Sequence, residues 1–166
     1  MARLVLVGLP GVGKSTLAAA LATQWRCVAV DTDDVIAENA GMSPAQLLRE
    51  QGEAVFRQRE LDALRTALES DGVVATGAGV VTTGEARDLL EKSFAVWLDC
   101  DEEELLSRVS DGERPLLGDD HRRGLAKLRS EREGWYQTVA RVRVDASGTV
   151  EDVVQRVLTQ IEREAP

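Results

Sequence analysis

The sequence lacks the features that disulfide frameworks, secretion signals and membrane spans require. Its 166 residues contain two cysteines, Cys27 and Cys100, which lie far apart, in or beside apolar runs, and form no C-x-x-C pair. Buried thiols in a reducing cytosol are the simplest interpretation. No stretch is long enough for a transmembrane helix, and the apolar N-terminus passes directly into a glycine-rich loop, which indicates a first strand rather than a signal peptide. We therefore expect a cytoplasmic protein.

Basic residues are also in deficit. Lysine and arginine together number 20 against 29 aspartates and glutamates, which leaves a formal net charge of −9. This balance argues against nucleic acid or a membrane surface as a partner, because binding to either usually needs a basic face. If the ligand is an anion, the cations that bind it must be concentrated locally. We expect a monomer that acts on a small molecule, with residues 1–166 forming a single domain.

The order of the predicted elements indicates an α/β protein. Strand-like apolar segments alternate with helical segments, which favours three layers, a parallel sheet with helices on both faces. Strands are predicted at 3–8, 27–31, 72–76, 94–99 and 141–145. Helices are predicted at 14–25, 43–51, 53–69, 84–92, 101–109, 125–140 and 149–164.

The segment GLPGVGKS, residues 8–15, fits the pattern G-x-x-x-x-G-K-[ST] and lies between a predicted strand and a predicted helix. In this pattern the glycines let backbone N–H groups surround a phosphate, and the helix N-terminus adds a favourable dipole. Lys14 reaches the β- and γ-phosphates and is a candidate catalytic residue, and the Ser15 hydroxyl can ligate Mg²⁺. The predicted nucleotide-binding residues of this loop are Gly11, Val12, Gly13, Lys14, Ser15 and Thr16.

This loop alone does not distinguish a kinase from an ATPase or a GTPase. A GTPase would need a base-reading motif such as N-K-x-D, which the sequence lacks, and a large ATPase would need a longer chain. A small kinase for a small acceptor is the economical choice, with ATP and Mg²⁺ as its cofactors.

P-loop enzymes need an acidic residue near the magnesium ion, and two predicted strands end in one. Asp31 follows the apolar run VAV, and Asp99 follows VWL. Asp99 also fits the acidic first turn of the next helix, whereas Asp31 has Asp33 two residues later, where both can face one cleft. We therefore predict that Asp31 serves the metal. Asp34 is expected only to cap or start the following helix.

Two arginines lie on the apolar faces of predicted helices, where spacings of three and four residues align side chains. Arg57 shares its face with Leu61, Leu64 and Leu68, and Arg132 shares its face with Leu125, Leu128, Trp135 and Val139. Such an arginine can simply pack its stem and extend its head to water. Two of them in an acidic protein favour convergence on a buried anion, which guanidinium groups bind in a bidentate manner. Off these faces, and expected to be solvated, are Arg59, Arg65 and Arg129.

The segment SDGERPLLGDDHRRG, residues 110–124, is rich in glycine and charge. Its composition is typical of a mobile lid, with Arg114 as a candidate phosphate clamp, and equally of a plain surface loop.

Several segments together resemble the shikimate kinase family along nearly the whole chain. They are GLPGVGKST, DTDDVI, GEAVFRQRE (52–60), DGVVATGAGVV (71–81), ERPLL (113–117) and REGWYQTVA (132–140). The resemblance implies the fold of the nucleoside-monophosphate kinases, with a five-stranded parallel sheet in the order 2-3-1-4-5. It also implies ATP-dependent phosphorylation of the shikimate 3-hydroxyl to give shikimate 3-phosphate and ADP, a step of aromatic amino acid biosynthesis.

On the acceptor side, the resemblance implies that Asp33 holds the shikimate hydroxyls and helps to take the proton. Arg57 and Arg132 would bind the substrate carboxylate. Residues Gly77, Ala78 and Gly79 would supply backbone contacts. The substrate-binding helical segment would span about 32–62.

On the nucleotide side, the resemblance implies that Asp31 binds magnesium through water. Arg108 would lie near adenine, and Arg114 in the lid would approach the ATP phosphates as a catalytic residue. Catalysis in such enzymes is mainly positioning and charge neutralisation.

The sequence departs from the family pattern at three places. Ala78 replaces the middle one of three glycines, where a positive φ would strain alanine and its methyl group could crowd the substrate. The lid between Arg108 and Arg114 is slightly shorter than usual, and the loop DASGTV at 145–150 has no arginine. Two alternatives therefore stay open: a kinase for another small hydroxy acid such as gluconate, and a non-catalytic nucleotide-binding relative.

Overall fold

A computed structural model describes residues 2–109 and 117–164 of the chain. In these residues the strands are β1 (Leu4–Val7), β2 (Val28–Asp31), β3 (Gly72–Ala75), β4 (Ala95–Asp99) and β5 (Val142–Asp145). The helices are α1 (Lys14–Trp25), α2 (Thr32–Ala40), α3 (Pro44–Leu68), α4 (Gly84–Glu91), α5 (Glu102–Val109), α6 (His121–Val139) and α7 (Val150–Glu164), and a 3₁₀ helix (Val80–Thr82) precedes α4. None of these helices is long and apolar enough to span a bilayer.

The five strands of the described residues form one parallel sheet in the order β2-β3-β1-β4-β5. The three central strands are buried along their whole length, and the edge strands β2 and β5 are partly exposed. Burial on both faces explains why the central strands are nearly continuous apolar runs instead of alternating patterns. The predicted α/β class, parallel sheet and strand order are confirmed.

The connections place the glycine loop at the middle of the sheet. After β1 the chain crosses to β2 on one side, and after β3 it crosses back to β4 on the other side of β1. Right-handed crossovers in opposite directions put their helices on opposite faces, and accordingly α1 packs against α7 while α4 packs against α6. Ligands of open parallel sheets bind at such a reversal, beyond the carboxyl ends of the strands.

Two helices differ from the predicted boundaries. α6 begins at His121 rather than at 125, because the Asp120 side chain caps it by accepting a hydrogen bond from the Arg123 N–H at 3.1 Å. Residues 121–124 of the predicted lid are therefore helical, and residues 110–116 of that lid lie outside the described residues. α3 runs across both predicted helices 43–51 and 53–69 but is interrupted between them at Gly52, with φ 83° and ψ 170°.

The helices α2 and α3 have a small hydrophobic cluster of their own. Ile36, Leu47, Phe56 and Ala63 are buried together in this cluster. The larger core surrounds the sheet and includes the second half of α3 through Leu61, Leu64 and Ala67. One helix thus belongs to both clusters, which fixes the polar residues of α2 and α3 relative to the ends of the strands.

Candidate active site

A cavity of about 700 Å³ lies beyond the carboxyl ends of β1, β2 and β3. It brings together most of the residues predicted for the site: Gly11, Gly13, Lys14, Ser15, Thr16, Asp31, Asp33, Arg57, Gly77, Ala78, Gly79 and Arg132. Val12 and Arg108 line a neighbouring cavity of about 360 Å³ on the other side of the glycine loop. Arg114 lies outside the described residues.

The glycine loop has the backbone conformation that its sequence predicts. Gly11 and Gly13 have φ values of 79° and 101°, which side chains with a β-carbon rarely adopt. α1 begins directly afterwards at Lys14, so its N-terminal N–H groups face the cavity end of the loop. The buried Lys14 ammonium donates to the carbonyl oxygens of Gly8 and Leu9 at 2.8 and 3.0 Å. A cation and a helix N-terminus thus meet at one point, which suits a phosphate.

Asp31 connects the glycine loop to α2. Its carboxylate accepts a hydrogen bond from the Ser15 hydroxyl, and its other oxygen caps α2 by accepting from the Asp33 N–H at 2.9 Å. Asp31, the last residue of β2 and still extended, is the cap of α2. Asp34, which we predicted to cap or start this helix, is an exposed residue of its first turn.

Asp99, the other acidic residue at a strand end, is engaged away from the cavity. It is 7% exposed, and it accepts hydrogen bonds from Arg129 at 3.0 Å and from Arg143 at 2.5 Å. These two cations neutralise it, which supports Asp31 as the metal-side acid. The prediction that Arg129 is solvated was wrong. Its side chain is only 25% exposed, because Arg129 borders the buried face of α6 and pairs there with Asp99 at the end of β4.

Arg57 lies on the buried face of α3, as its spacing predicted. The residue is 8% exposed, and its Nη1 and Nη2 donate to Glu60 at 2.8 Å and to Glu53 at 3.3 Å. Glu60 is buried more deeply, and burial raises the pKa of its carboxyl group while the adjacent Arg57 opposes the shift. Glu60 was not among the predicted site residues, although its position three residues after Arg57 on a helix indicates a side-chain pair.

Arg132 is buried on α6, with 3% of the residue exposed. Its Nε and Nη1 atoms have no hydrogen-bond partner among the described residues, and neither has Arg57 Nε. Two buried guanidinium groups thus face one buried carboxylate, Glu60. Because buried donors without partners are unfavourable, this part of the cavity favours an anion that can accept from them.

The loop after β3 forms another wall of the cavity. The Gly77 N–H donates to the Thr32 hydroxyl at 3.0 Å, and Gly79 packs so tightly on Arg57 that a β-carbon would lie 2.0 Å from Arg57 Nη1. The strain predicted at Ala78 is absent, since Arg26 is the only non-glycine residue of the described chain with a positive φ. The Ala78 carbonyl accepts a hydrogen bond from the Tyr136 hydroxyl at 2.5 Å.

The predicted buried face of α6 was wrong at one position. After Arg132 it continues through Tyr136, which is 1% exposed, and not through Trp135, which is 36% exposed. A spacing of four residues fits the helical period as well as a spacing of three, so the pattern did not separate the two aromatic residues. Tyr136 stacks on Trp97 with 6.0 Å between ring centroids, whereas Trp135 lies beneath the Arg87 guanidinium.

Arg108 lies between the glycine loop and the loop after β5. Its Nη1 donates to the Val12 carbonyl at 3.1 Å, and its Nη2 donates to the Ala146 carbonyl at 3.0 Å and pairs with Glu104. The side chain therefore borders the second cavity. The loop at 145–150 has no arginine of its own, but Arg156 from α7 donates to its carbonyls at Asp145 and Ser147.

Comparison with known proteins identifies the family. A family model described as "Shikimate kinase" matches residues 10–162. The chain belongs to the shikimate kinase family. A shikimate kinase from Streptomyces avermitilis is 40% identical over 163 residues, which cover 96% of this chain and 95% of the relative. The solved structure of a shikimate kinase from Acinetobacter baumannii in complex with shikimate has a TM-score of 0.91 and 30% identity, over 97% of this chain and 93% of that one.

Membership of the shikimate kinase family confirms the predicted function, which is ATP-dependent phosphorylation of shikimate by a phosphotransferase with an alcohol acceptor. A gluconokinase from Sinorhizobium meliloti also aligns, with a TM-score of 0.57 and 16% identity over 99% of this chain and 93% of that one. This second likeness shows a shared fold and carries no information about the acceptor.

Proposed function

We propose that the chain transfers the γ-phosphoryl group of ATP to the 3-hydroxyl of shikimate, with ATP at the glycine loop and shikimate at the two buried arginines. The observation that carries the proposal is the surplus of buried positive charge at Arg57 and Arg132, in the same cavity as Lys14 and Ser15. The carboxylate of shikimate would supply the acceptor oxygens that the buried Arg132 nitrogens need.

Asp33 is proposed to contact the hydroxyl that is phosphorylated. It lies in the first turn of α2 and lines the cavity, and its Oδ1 is 3.3 Å from the point that a Gly77 β-carbon would occupy. A carboxylate at this point can orient a hydroxyl group toward the γ-phosphate and take its proton. The backbone of Gly77, Ala78 and Gly79 forms the adjacent wall and would contact the same acceptor.

Ser15 and Asp31 are proposed to hold Mg²⁺, with Asp31 acting through water. The described residues contain no group of three or more His, Cys, Asp and Glu side chains arranged for a metal ion. Mg²⁺ fits this setting, because it usually keeps several waters and binds through one or two carboxylates together with substrate phosphates. When bound, the ion would neutralise charge on the β- and γ-phosphates. The Lys14 ammonium group would add a second positive charge beside the same phosphates.

Two more arginines complete the proposed nucleotide site. Arg108 would border the adenine in the second cavity, where hydrogen bonds to Val12 and Ala146 hold it. For Arg114 the proposal of a phosphate clamp rests on the sequence alone.

A substrate panel tests the proposed reaction. ADP release with Mg²⁺ and ATP is measured against shikimate, quinate and gluconate, and the product is analysed for the phosphorylated position. We expect turnover with shikimate and a 3-phosphate product. Turnover with another acid but not with shikimate would refute the proposed acceptor, and binding of both substrates without transfer would indicate a non-catalytic relative.

The proposed role of Asp33 predicts that Asp33→Asn lowers kcat by about 100-fold or more, because general-base and positioning effects are of that size. ATP affinity, measured by calorimetry, should remain unchanged. The matched control is Glu38→Gln, which removes a carboxylate charge from an exposed residue of the same helix that does not line the cavity. An equal loss of ATP affinity in Asp33→Asn would contradict the division between an acceptor side and a nucleotide side.

A further inference from the structure

We infer that Tyr136 is a positioning residue of the acceptor site: its hydroxyl group holds the Ala78 carbonyl and so fixes the loop after β3 against α6, the helix that carries Arg132. The inference rests on the proposed function, because it assigns this loop and Arg132 to the acceptor. Tyr136 itself does not line the cavity. It would therefore act on the substrate through its neighbours.

The Tyr136 hydroxyl connects two walls of the cavity. It donates to the Ala78 carbonyl at 2.5 Å, which ties the loop after β3 to α6. Arg132 lies four residues earlier on the same buried face of α6, close enough for its positive charge to act on the same hydroxyl. Tyr136 is 1% exposed, so water does not compete for the contact with Ala78. One buried hydroxyl group therefore ties the loop after β3 to the helix that carries Arg132 and its two unpaired nitrogens.

The ring of Tyr136 keeps this hydroxyl in place. It stacks on Trp97, with ring centroids 6.0 Å apart and planes inclined by 28°. Trp97 in turn carries the Arg143 guanidinium over its ring at 4.5 Å, and Arg143 pairs with the buried Asp99. A phenol has few rotatable bonds, so a ring packed in this way presents its oxygen with little freedom.

The contact with Ala78 also orients the next peptide group. In a trans peptide the carbonyl of Ala78 and the N–H of Gly79 point in opposite directions. With the carbonyl fixed on Tyr136, the Gly79 N–H must point away from the Tyr136 hydroxyl. Gly79 lines the cavity and packs against Arg57. The hydrogen bond between Tyr136 and Ala78 therefore also positions the backbone next to the arginine that would bind the substrate carboxylate.

The test is Tyr136→Phe, which removes only the hydroxyl group and keeps the stacked ring. We expect the KM for shikimate to rise about 5- to 30-fold, because the Ala78 carbonyl loses its buried hydrogen-bond partner. The KM for ATP should not change. The matched control is Trp135→Phe, which alters the adjacent exposed aromatic residue and should leave both constants unchanged. Thermal unfolding of both variants confirms that they are folded.

A KM for shikimate that is unchanged in Tyr136→Phe, or a parallel rise for both substrates, would overturn the inference. Hydrogen exchange of the amides of residues 77–79 gives a readout that needs no substrate. Faster exchange in Tyr136→Phe than in Trp135→Phe supports the anchor, and equal exchange refutes it. If the wild-type protein shows no turnover with shikimate, the proposed function fails, while the exchange comparison still decides whether Tyr136 positions the loop.

Discussion

Replacement of Gly79 by alanine should displace Arg57 without straining the backbone. Gly79 has φ −90° and ψ 0°, values that residues with a β-carbon adopt at the third position of type I turns. The new β-carbon, however, would lie 2.0, 2.6 and 2.7 Å from Nη1, Cζ and Nη2 of Arg57. The perturbation is therefore a steric one, aimed at a single guanidinium group.

The size of the effect follows from these distances. Non-bonded heavy atoms settle at about 3.5 Å, so the guanidinium group must move by about 1.5 Å. A shift of this size disrupts the 2.8 Å hydrogen bond between Arg57 and the buried Glu60 and misplaces the group proposed to bind the substrate carboxylate. A charge-assisted hydrogen bond contributes about 1.5–3 kcal/mol, which corresponds to a rise of about 10- to 100-fold in the KM for shikimate.

Steady-state kinetics with each substrate varied in turn measures this effect, and Gly134→Ala is the matched control. Gly134 lies on the exposed face of α6, and an added β-carbon there meets nothing within 4 Å. That control should raise the free energy of unfolding by up to about 1 kcal/mol, the difference in helix propensity, and leave both KM values unchanged. An unchanged KM for shikimate in Gly79→Ala would show that Arg57 does not bind the acceptor. An equal rise for ATP would show that the whole cavity is disturbed.

Two further predictions concern stability and thiol chemistry. Asp99→Asn should lower the free energy of unfolding, measured in urea, by about 1–3 kcal/mol, because Arg129 and Arg143 lose their buried charge partner. The exposed control Asp62→Asn should change this free energy by less than about 0.5 kcal/mol. Equal effects of the two variants would contradict the assigned pairing. At pH near 8, a thiol reagent should modify Cys27 in the native protein and Cys100 only after unfolding, because burial raises the pKa of Cys100 to about 11. That native pKa lies above the ordinary value of 9.0, so folding favours the neutral thiol. Its contribution to the free energy of unfolding is therefore fully present below pH 9 and is lost as the pH rises through about 11. Two reactive thiols in the folded protein would refute this prediction.

The sequence by itself determined the fold and the nucleotide side of the site. The apolar runs of the central strands and the helices between them specify a parallel sheet, because burial on both faces leaves no alternating pattern. The glycine loop is equally local: two glycines with positive φ, a lysine and a helix start follow one another within a few residues. Arg57 and Arg132 could be found in the same way, since each breaks an apolar stripe of its own helix.

The tertiary structure alone decided which neighbours these residues have. Trp135 and Tyr136 both satisfy the helical period, and Tyr136 is buried because Trp97 stacks on its ring and the Ala78 carbonyl accepts its hydroxyl hydrogen. Arg129 is held by Asp99 from a strand that is 30 residues away in the chain. Periodicity shows which side of a helix is apolar, but an adjacent residue differs by only about 100° in direction. The group that lies across from it, supplied by another part of the chain, decides which of the two side chains is buried.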